Sequence, residues 1–347
     1  MDIFVKTVAE KIFVVTQLYN PLMFKKINKN TAIKQMNKLG KSKTPFLFII
    51  DFEFTKAIII TNEELHNNKI KFSFNNFTNF TEKATNKSFS FEKFPVSLSE
   101  YETAFYKVQK EIKNGNTYLL NLSFKTKINT NQTLSGIYKN SKSAYKLYIK
   151  DKFVVFSPEI FVKIKDNIIS SYPMKGTIDA SIPNAENIIL KDKKETAEHY
   201  TIVDLIRNDL NIVAKKIEVK KFRYIDEIST NGKNLLQVSS EISGTLPLDW
   251  NEQLGTIFGK LLPAGSISGA PKKKTVEIIK SVESYNRDFY TGIAGYYDGK
   301  SIDSFVMIRF IENENNQFIF KSGGGITSMS DAKNEYQEMI DKVYIPI

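Results

Sequence analysis

The hexapeptide Tyr172-Pro-Met-Lys-Gly-Thr177 follows a β-like run, Asn167–Ser171, and the rest of the chain can be interpreted outward from it. Pro173 fixes its own φ angle and lacks an amide donor, whereas Gly176 allows the backbone to turn closely. Lys175 lies between them, in a predicted tight turn beside hydrophobic strands. Partial desolvation there would lower the pKa of its amine and make it a nucleophile. On the hexapeptide alone, an ordinary lysine in a surface turn is the simpler interpretation.

The composition limits the chemistry that this chain can perform. Its 347 residues predict one large or two intimate domains, and 26 Phe and 16 Tyr in short alternating runs favour strands. The absence of cysteine excludes disulfides, thiol nucleophiles and thiolate metal sites. Because His66 and His199 are the only histidines, a Ser-His-Asp triad or a His-rich metal site is disfavoured. Any metal would be held by carboxylates, which suits Mg²⁺.

The net charge of +11 raises the possibility of a nucleic-acid partner. The excess is spread along a chain biased towards Lys and Asn, as in residues 25–43 and 67–86, so we expect no nucleic acid. A diffuse positive field would still help to capture an anionic small molecule. Residues 1–19 mix Lys and Glu into their apolar run, and no stretch approaches about 18 apolar residues. We therefore expect a cytoplasmic protein with no membrane contact.

Short predicted strands mixed with surface helices favour an α+β fold with large antiparallel β-sheets. Residues 1–95 are predicted to form a strand-rich N-terminal part and residues 96–347 the catalytic region, and the two are expected to form one intimate unit. Within the first part, residues 67–94 are expected to form an exposed hairpin or loop. The other predicted boundaries are a helix capped by Thr31 and ended by Gly40, a helix opened by Ser99, a strand at Ile302–Ile311 and a helix capped by Ser330.

Two pairs of glutamates stand out on the predicted helices. Glu195 and Glu198 are three residues apart, as are Glu335 and Glu338, so each pair shares a helix face. Like charges on one face destabilise a helix mildly unless a cation lies between them. Two such pairs facing each other would form an oxygen-rich Mg²⁺ site completed by water and a ligand oxygen. The alternative is two solvated helix faces.

Two glycine-rich segments could bind anions. The segment Gly323-Gly-Gly-Ile-Thr327 follows a strand, and consecutive N–H groups of Gly323, Gly324 and Gly325 could form an anion-binding nest. The segment Leu262–Lys272 places Pro271 in a first helical turn, where a helix N-terminus favours an anion. It is not a Walker A loop, because the Gly-Lys-Ser/Thr ending is absent. In both cases an ordinary turn is the alternative.

Three further features complete the set. The segment Val203–Leu210 alternates acids, a base and an amide, which suggests a buried ionic network that supports the carboxylates. Arg309, near the end of the alternating run Phe305–Phe310, would bind a carboxylate bidentately if it points inward. Glu159 follows a strand in Ser157-Pro-Glu, where apolar surroundings could keep its carboxyl protonated as an acid.

Taken together, these motifs resemble the chorismate-utilising enzymes, which include anthranilate, aminodeoxychorismate, isochorismate and salicylate synthases. The resemblance covers roughly residues 99–345, and the motifs occur in order. They are Ser157-Pro-Glu, Pro-Met-Lys-Gly-Thr177, Ile-Val-Asp-Leu-Ile-Arg-Asn-Asp-Leu210, Pro-Ala-Gly-Ser-Ile-Ser-Gly-Ala-Pro-Lys272, Gly-Gly-Gly-Ile326 and Glu-Tyr-Gln-Glu338. The resemblance implies a sandwich of large antiparallel sheets with helices outside and the active site in the cleft between.

Within this family, the resemblance implies the aminodeoxychorismate synthases, which carry lysine at the position of Lys175 where the other members typically have alanine. Isochorismate-type enzymes activate water with a lysine at what is Leu119 here, so no such base is expected. Gln237 replaces the family's histidine before the Val-Ser strand, and Ala264 replaces a usual glycine. Anthranilate or isochorismate synthase activity remains the close alternative, and a basic nucleic-acid-binding protein the distant one.

The resemblance also implies roles for individual residues. Lys175 would be the nucleophile and Glu159 the acid, and Glu195, Glu198, Glu335 and Glu338 would hold Mg²⁺. The substrate, chorismate, would be bound by Thr177, Gln237, Tyr296, Arg309, Gly323, Gly324, Gly325 and Lys342. Ammonia would come from a separate glutaminase subunit, because a chain without cysteine cannot form the thioester of the usual route.

Overall fold

The computed structural model describes residues 25–67, 69–75, 77–80, 88–229 and 234–347. Its strands are β1 (Ile27–Asn28), β2 (Phe46–Ile50), β3 (Lys56–Thr61), β4 (Ile70–Phe74), β5 (Phe77–Thr78), β6 (Phe91–Phe94), β7 (Leu119–Thr130), β8 (Tyr145–Ile149), β9 (Phe153–Ser157), β10 (Ile160–Lys165), β11 (Ile168–Ser171), β12 (Met174–Asp179), β13 (Lys215–Ser229), β14 (Asn234–Thr245), β15 (Gly269–Ala270), β16 (Ile293–Tyr297), β17 (Ile302–Val306), β18 (Phe310–Glu314) and β19 (Gln317–Ile326).

The α-helices lie mainly on the outer side of the β-structure. They are α1 (Lys29–Lys41), α2 (Leu98–Lys113), α3 (Leu134–Asn140), α4 (Ala185–Lys191), α5 (Lys193–Asn211), α6 (Leu254–Leu261), α7 (Gly265–Ser268), α8 (Lys272–Val282) and α9 (Ala332–Asp341). Among the described residues, no helix combines the length and the apolar character needed to cross a bilayer.

The described strands form two large sheets in which the registered pairs are antiparallel. The first has the order β1-β3-β2-β16-β17-β10-β11-β14-β12, with β13 also paired to β14. The second has the order β15-β7-β19-β18-β9-β8-β4-β5, with β6 paired to β7. This arrangement confirms the predicted α+β fold with large antiparallel sheets. Strands from before and after residue 95 contribute to both sheets.

The two sheets pack face to face over a shared apolar core. Leu47 and Ile49 of β2 belong to the same buried cluster as Phe72 and Phe74 of β4. The alternate residues of β2 point the other way, and the ring of Phe48 contacts that of Phe258 on α6 at 4.8 Å between centroids. Because both faces of β2 are covered, its sequence Phe-Leu-Phe-Ile-Ile is apolar throughout.

The expectation of an exposed segment at residues 67–94 is wrong for β4. Ile70, Phe72 and Phe74 are buried between the sheets, and β4 pairs with β8 along its whole length. The alternation of apolar and polar residues in this strand is the signal of a half-buried strand, and the surrounding Asn and Lys residues obscured it. Residues 81–87 of the same segment lie outside the described residues.

Several predicted element boundaries also need correction. Helix α2 is capped by Ser97, whose side chain accepts from the amide of Glu100, and not by Ser99. Both serines precede a glutamate by three residues, so the capping-box pattern alone does not choose between them. Asn28, not Thr31, caps α1, and Asp331, not Ser330, caps α9.

Gly40 does not end α1, because it is a packing residue within that helix. A Cβ at Gly40 would overlap the backbone of Asn251, so the missing side chain allows α1 to contact the chain just before α6. Helix α1 therefore continues to Lys41. Gly255 plays the same role on α6, where a Cβ would overlap the backbone of Ile33.

The predicted strand Ile302–Ile311 is in fact two strands in different sheets. Strand β17 ends at Val306 in the first sheet, and β18 begins at Phe310 in the second. Arg309 lies between them with φ of 54°, in the left-handed region that non-glycine residues seldom adopt. The chain therefore crosses between the sheets at this arginine.

We predict that Gly255→Ala destabilises the protein by about 1–3 kcal/mol, because the added methyl group meets the fixed backbone of α1. The shift in denaturant midpoint measures this loss. Gly259→Ala, one turn along the same helix, is the matched control. Its Cβ would meet only the end of the Ile33 side chain, at 3.0 Å, so the loss should be much smaller. Equal midpoints for the two variants would contradict this account of the α1–α6 contact.

Candidate active site

A cavity of about 520 Å³ lies between the two sheets. The first sheet contributes Lys175 and Thr177 from β12 and Gln237 from β14. The second contributes residues of β7 and β19, and helices α5 and α9 supply glutamates at the rim. The cavity thus gathers side chains from most of the motifs that the sequence singles out.

Lys175 enters the cavity because its strand is irregular. The pairing of β12 with β14 shifts between Met174 and Thr177, and Gly176 takes a φ of 90° in that interval. A Cβ at Gly176 would lie 3.1 Å from Glu195 Oε2, so glycine also lets the strand approach α5. The Lys175 side chain, 30% exposed, ends 2.6 Å from Glu198 Oε2.

The expected lowering of the Lys175 pKa is wrong for this arrangement. Burial acts to lower the pKa of Lys175, but the nearby carboxylates of Glu198, Glu338 and Glu195 raise it above the ordinary value. Desolvation and charge pairing compete, and here the pairing dominates. Lys175 is therefore an ammonium ion held against Glu198.

The two predicted glutamate pairs are brought together around this lysine. Glu198 and Glu335 are buried, and Lys194 bridges them, with Nζ 3.9 Å from Glu198 and 3.4 Å from Glu335. Burial raises the pKa of Glu195. Burial also acts to raise the pKa of Glu338, but the ammonium of Lys342, 2.6 Å away, outweighs it and the pKa falls.

The carboxylates fit Mg²⁺ as an open site. Glu195 Oε2 and Glu198 Oε1 are buried with no hydrogen-bond partner, which leaves two oxygen acceptors for a cation. Within the described chain, no three acidic or histidine side chains converge into a closed ligand set. Mg²⁺ does not require one, because it usually keeps several waters and binds through one or two carboxylates plus substrate oxygens. The metal assignment itself stays a prediction.

Glu159 lines the same cavity and is the second residue after β9, directly after Pro158. Ser266 Oγ donates to its Oε1 over 2.7 Å. Burial raises the pKa of Glu159, although Ser266 and the cations Arg309 and Lys342 act in the other direction. A raised pKa lets a carboxyl hold its proton to higher pH, which suits a group that donates a proton to a leaving group.

Cationic groups line the side of the cavity near α9. Arg309 Nε is buried without a partner, and its guanidinium lies 5.2 Å from the centre of the Tyr344 ring. Lys342 Nζ donates to the Gly323 carbonyl over 3.0 Å, and burial lowers the pKa of Lys342. Together with Lys175, these groups provide positive charge for an anionic ligand.

The predicted anion-binding nest at Gly323, Gly324 and Gly325 is wrong. All three glycines lie in the regular strand β19 and pair with β7, and none has a positive φ angle. They matter because they lack side chains. A Cβ on Gly324 would come within 3.4 Å of Glu335 Oε2, and one on Gly323 would overlap the backbone of β7 at Leu122. A Cβ on Gly325 would lie 3.1 Å from the Leu119 side chain in the cavity wall.

Tyr296 does not reach the cavity. Its ring packs against Phe72 in the core between the sheets, and its hydroxyl donates to Asn62 Oδ1 over 2.8 Å. Strand β16 turns this residue towards the core, so the predicted placement of Tyr296 beside the substrate is wrong. Tyr290, which precedes β16, lines the cavity instead.

The remaining predicted residues divide between the cavity and its support. Thr177 and Gln237 are cross-strand partners and both line the cavity, as does Leu119. Lys272 instead pairs with Asp209 at 2.8 Å and donates to the Leu261 carbonyl. The segment Leu262–Lys272 is therefore tied to α5 by a partly buried ion pair.

That ion pair bears out part of the network expected at Val203–Leu210. Asp209 is buried and serves it, whereas Asp204 and Arg207 pair on the exposed face of α5. Sequence reasoning missed Asn121 and Ser322, which also line the cavity. Asn121 stands between Leu120 and Leu122, which point into the apolar core, and this was the available signal.

Comparisons with known proteins identify the family of this chain. A family model for chorismate binding enzymes matches residues 60–347. An uncharacterized PabA-like protein of Haemophilus influenzae is 50% identical over 315 residues, which are 91% of this chain and 96% of the relative. Aminodeoxychorismate synthase component 1 of Bacillus subtilis is 30% identical over 269 residues, 72% of this chain and 55% of the relative. Anthranilate synthase component 1 of Acetivibrio thermocellus is also 30% identical, over 71% of this chain and 52% of the relative.

Solved structures show the same fold. A putative 2,3-dihydroxybenzoate-specific isochorismate synthase of Bacillus anthracis aligns over 92% of this chain and 89% of its own, with a TM-score of 0.68 and 18% identity. Anthranilate synthase component I of Streptococcus pneumoniae aligns over 76% of this chain and 60% of its own, with a TM-score of 0.62 and 27% identity.

Fold and site together define an enzyme of the chorismate-utilising class, and the chain belongs to the chorismate binding enzyme family. It spans about half the length of the synthase components to which it is 30% identical.

We predict that Glu159→Gln makes the stability of the protein less sensitive to rising pH. Because the folded-state pKa of Glu159 is raised, its contribution to stability is present at low pH and is lost as pH rises through that pKa. Glutamine retains an acceptor for Ser266 and cannot ionise. The thermal midpoint of the variant, relative to the unmodified protein, should therefore increase from about pH 5 to about pH 8.

Glu186→Gln on α4, where Glu186 is exposed, is the control, and its difference from the unmodified protein should stay constant over this range. A pH-independent difference for Glu159→Gln would show that this carboxyl is not held in its protonated form.

Proposed function

We propose that this chain is an aminodeoxychorismate synthase component I, which converts chorismate and ammonia into 4-amino-4-deoxychorismate. One observation carries the proposal: Lys175 and Glu159 line the same cavity, as a nucleophile and an acid must. Leu119, at the position from which isochorismate-type enzymes activate water, lines the cavity as an apolar residue. This favours an amine over water as the attacking group.

The charges of the cavity suit chorismate, which carries two carboxylates. Arg309 can form two parallel hydrogen bonds with one carboxylate, and its buried Nε is free to take part. Lys342 lies alongside, between Glu338 and the Gly323 carbonyl. Thr177 and Gln237 offer hydroxyl and amide groups on the opposite wall. In this arrangement the carboxylates of the substrate would take the place of some of the glutamates that now pair with the cations.

The reaction would proceed in two displacements at the ring. Lys175 first leaves Glu198 and gives its proton to solvent water, since only the neutral amine is a nucleophile. Its Nζ then bonds to C2 while the C4–O bond breaks, and Glu159 gives its proton to the departing hydroxyl, which leaves as water. Ammonia next bonds to C4, the C2–N bond breaks, and its electron pair returns to Lys175. Glu159, now a carboxylate, accepts the surplus proton from the new amine. Two easier steps thus replace one difficult displacement.

Mg²⁺, held by Glu198 and Glu338 with Glu195 and Glu335 in support, would supply positive charge that binds and orients the ring carboxylate. The chain's own contribution is to place these carboxylates on two helices that face each other across the cavity. Lys194 keeps Glu198 and Glu335 within reach of each other.

The ammonia would come from a separate glutaminase subunit. The chain contains no cysteine, so it cannot release ammonia from glutamine through a thioester. Purified alone, it should therefore aminate chorismate with an ammonium salt at high pH, where free NH₃ is abundant, and not with glutamine. Glutamine-dependent product from the single chain would contradict this division of labour.

We predict that Lys175→Ala abolishes most C4 amination and leaves the fold intact, because the change removes a nucleophile from a turn at the cavity wall. The assay is incubation with chorismate, Mg²⁺ and an ammonium salt, followed by identification of the product. Amination diverted to C2, giving an anthranilate-type product, would fit the same mechanism. Full formation of 4-amino-4-deoxychorismate by this variant would exclude the covalent step.

Lys163→Ala provides the matched control for this variant. Lys163 also lies on a strand of the first sheet and also pairs with a carboxylate, that of Asp303 at 3.7 Å, but it is outside the cavity. Its activity should stay close to that of the unmodified protein. An anthranilate product from the unmodified chain would instead assign it to the alternative member of the family.

We predict that Glu198→Gln and Glu338→Gln each weaken the binding of Mg²⁺, since each removes a charged oxygen ligand for a hard cation. Calorimetric titration with Mg²⁺ and the Mg²⁺ concentration for half-maximal activity are the two measurements. Glu64→Gln is the control, because Glu64 bonds only locally, to Thr61. If all three variants bind Mg²⁺ alike, the carboxylate assignment is wrong.

A further inference from the structure

Asn121 and Ser322 both line the cavity wall with a buried, unpartnered side-chain oxygen and have no task in the scheme above, and Asn121 carries the pure acceptor of the two. Asn121 of β7 lines the cavity, and its Oδ1 is buried without a hydrogen-bond partner. A buried acceptor left unpaired is costly, so one that lines a cavity indicates a ligand donor.

The strands around Asn121 leave its amide open to the cavity. Its partner across the antiparallel pair is Gly325, which has no side chain to cover it. Leu119, two residues earlier, points to the same face of the sheet and also lines the cavity. The Asn121 amide therefore lies between the apolar side chain of Leu119 and the space that Gly325 leaves without a side chain.

The backbone at Asn121 is held rigidly. Arg287 Nη2 donates to the Asn121 carbonyl over 2.5 Å, and the same guanidinium pairs with Glu283 at 2.6 Å. Glu283 in turn accepts from the amide and the hydroxyl of Ser123 on β7. Both Arg287 and Glu283 are almost fully buried, so this network fixes β7 from behind the cavity. A residue positioned in this way can orient a small ligand.

We propose that Asn121 holds the ammonia that attacks the ring, with its Oδ1 accepting one N–H and leaving the nitrogen lone pair free. The assignment rests on the proposed function and names the residue that binds its second substrate. The bond changes are those of the second displacement, in which ammonia bonds to C4 and Lys175 departs. Asn121 takes no proton and forms no covalent bond.

The chemistry of an amide suits this task better than that of a carboxylate. Ammonia must stay unprotonated to attack, and a carboxylate acceptor would favour ammonium by direct charge pairing. An amide oxygen accepts an N–H without carrying that charge. The cations Lys175, Arg309 and Lys342 disfavour ammonium, and they offset the glutamates Glu195, Glu198 and Glu338 that line the same cavity. Glu159 has given its proton to the departing hydroxyl by this stage, and it accepts the surplus proton only after the C4–N bond has formed.

The test compares Asn121→Val with Thr126→Val in the ammonium-dependent reaction. Valine removes the acceptor and retains a strand-forming side chain. We expect the KM for ammonia to rise roughly tenfold, the loss of about one hydrogen bond, while the KM for chorismate changes little. Thr126 is the matched control, because its buried hydroxyl on the same strand is also unpartnered but lies outside the cavity. Its variant should keep both constants.

Asn121→Asp provides a second variant of nearly the same shape. The added charge should favour ammonium, so its amination rate at a given free-ammonia concentration should fall below that of the unmodified protein. Thermal midpoints establish that each variant is folded.

The outcomes separate the two proposals. An unchanged KM for ammonia in Asn121→Val, in a protein that aminates C4, overturns the role of Asn121 and leaves the proposed function standing. A rise in the KM for chorismate alone would place the Asn121 amide on chorismate and also overturn it. Failure of the unmodified protein to aminate chorismate at C4 refutes the proposed function itself.

Discussion

The ion pair between Lys175 and Glu198 is the interaction on which the site depends. Glu198 is only 6% exposed at its side chain, and a carboxylate taken out of water costs several kcal/mol unless a cation compensates it. Lys175 provides that cation from β12, and Lys194 extends the pairing to Glu335 on α9. The strand and the two helices are thus held around the cavity by charges that none of them could bury alone. The nucleophile of the proposed reaction is at the same time a structural counter-ion.

The position of the cavity follows from how the chain passes between the two sheets. Arg309 lies where the chain leaves β17 for β18, and its left-handed backbone aims a long cationic side chain into the space between the sheets. On the second sheet, the three glycines of β19 present no side chains. An arginine in an unfavourable conformation and three consecutive glycines are both poor choices for a regular strand. They make sense here because the strands they interrupt or occupy form the walls of a site.

Much of this could be predicted from the sequence, because local periodicity determines local structure. The i, i+3 spacing of Glu195 and Glu198 places them on one helix face, and alternation marks the strands. The sign of the Lys175 pKa shift could not be predicted, since it depends on Glu338 and Glu198 from distant helices. Tyr296 and Gly323–Gly325 were misplaced for a related reason: motif identity does not reveal which face of a strand meets the cavity. Asn121 escaped notice because an unpaired acceptor is visible only once its neighbours are in place.

The balance of charge in the cavity suggests how it accepts its ligands. Glu195, Glu198, Glu335 and Glu338 are matched by four cations, Lys175, Lys194, Arg309 and Lys342. A fifth cation, Lys321, also lines the cavity but is paired with Glu312, and burial favours the neutral form of Glu159. In a space of low dielectric, adding net charge is costly. A divalent cation and a dicarboxylate cancel each other, so the two together preserve a balance that either alone would upset. On the proposed function, we therefore expect Mg²⁺ and chorismate to favour each other's binding, and this coupling would arise from electrostatics without any change of fold.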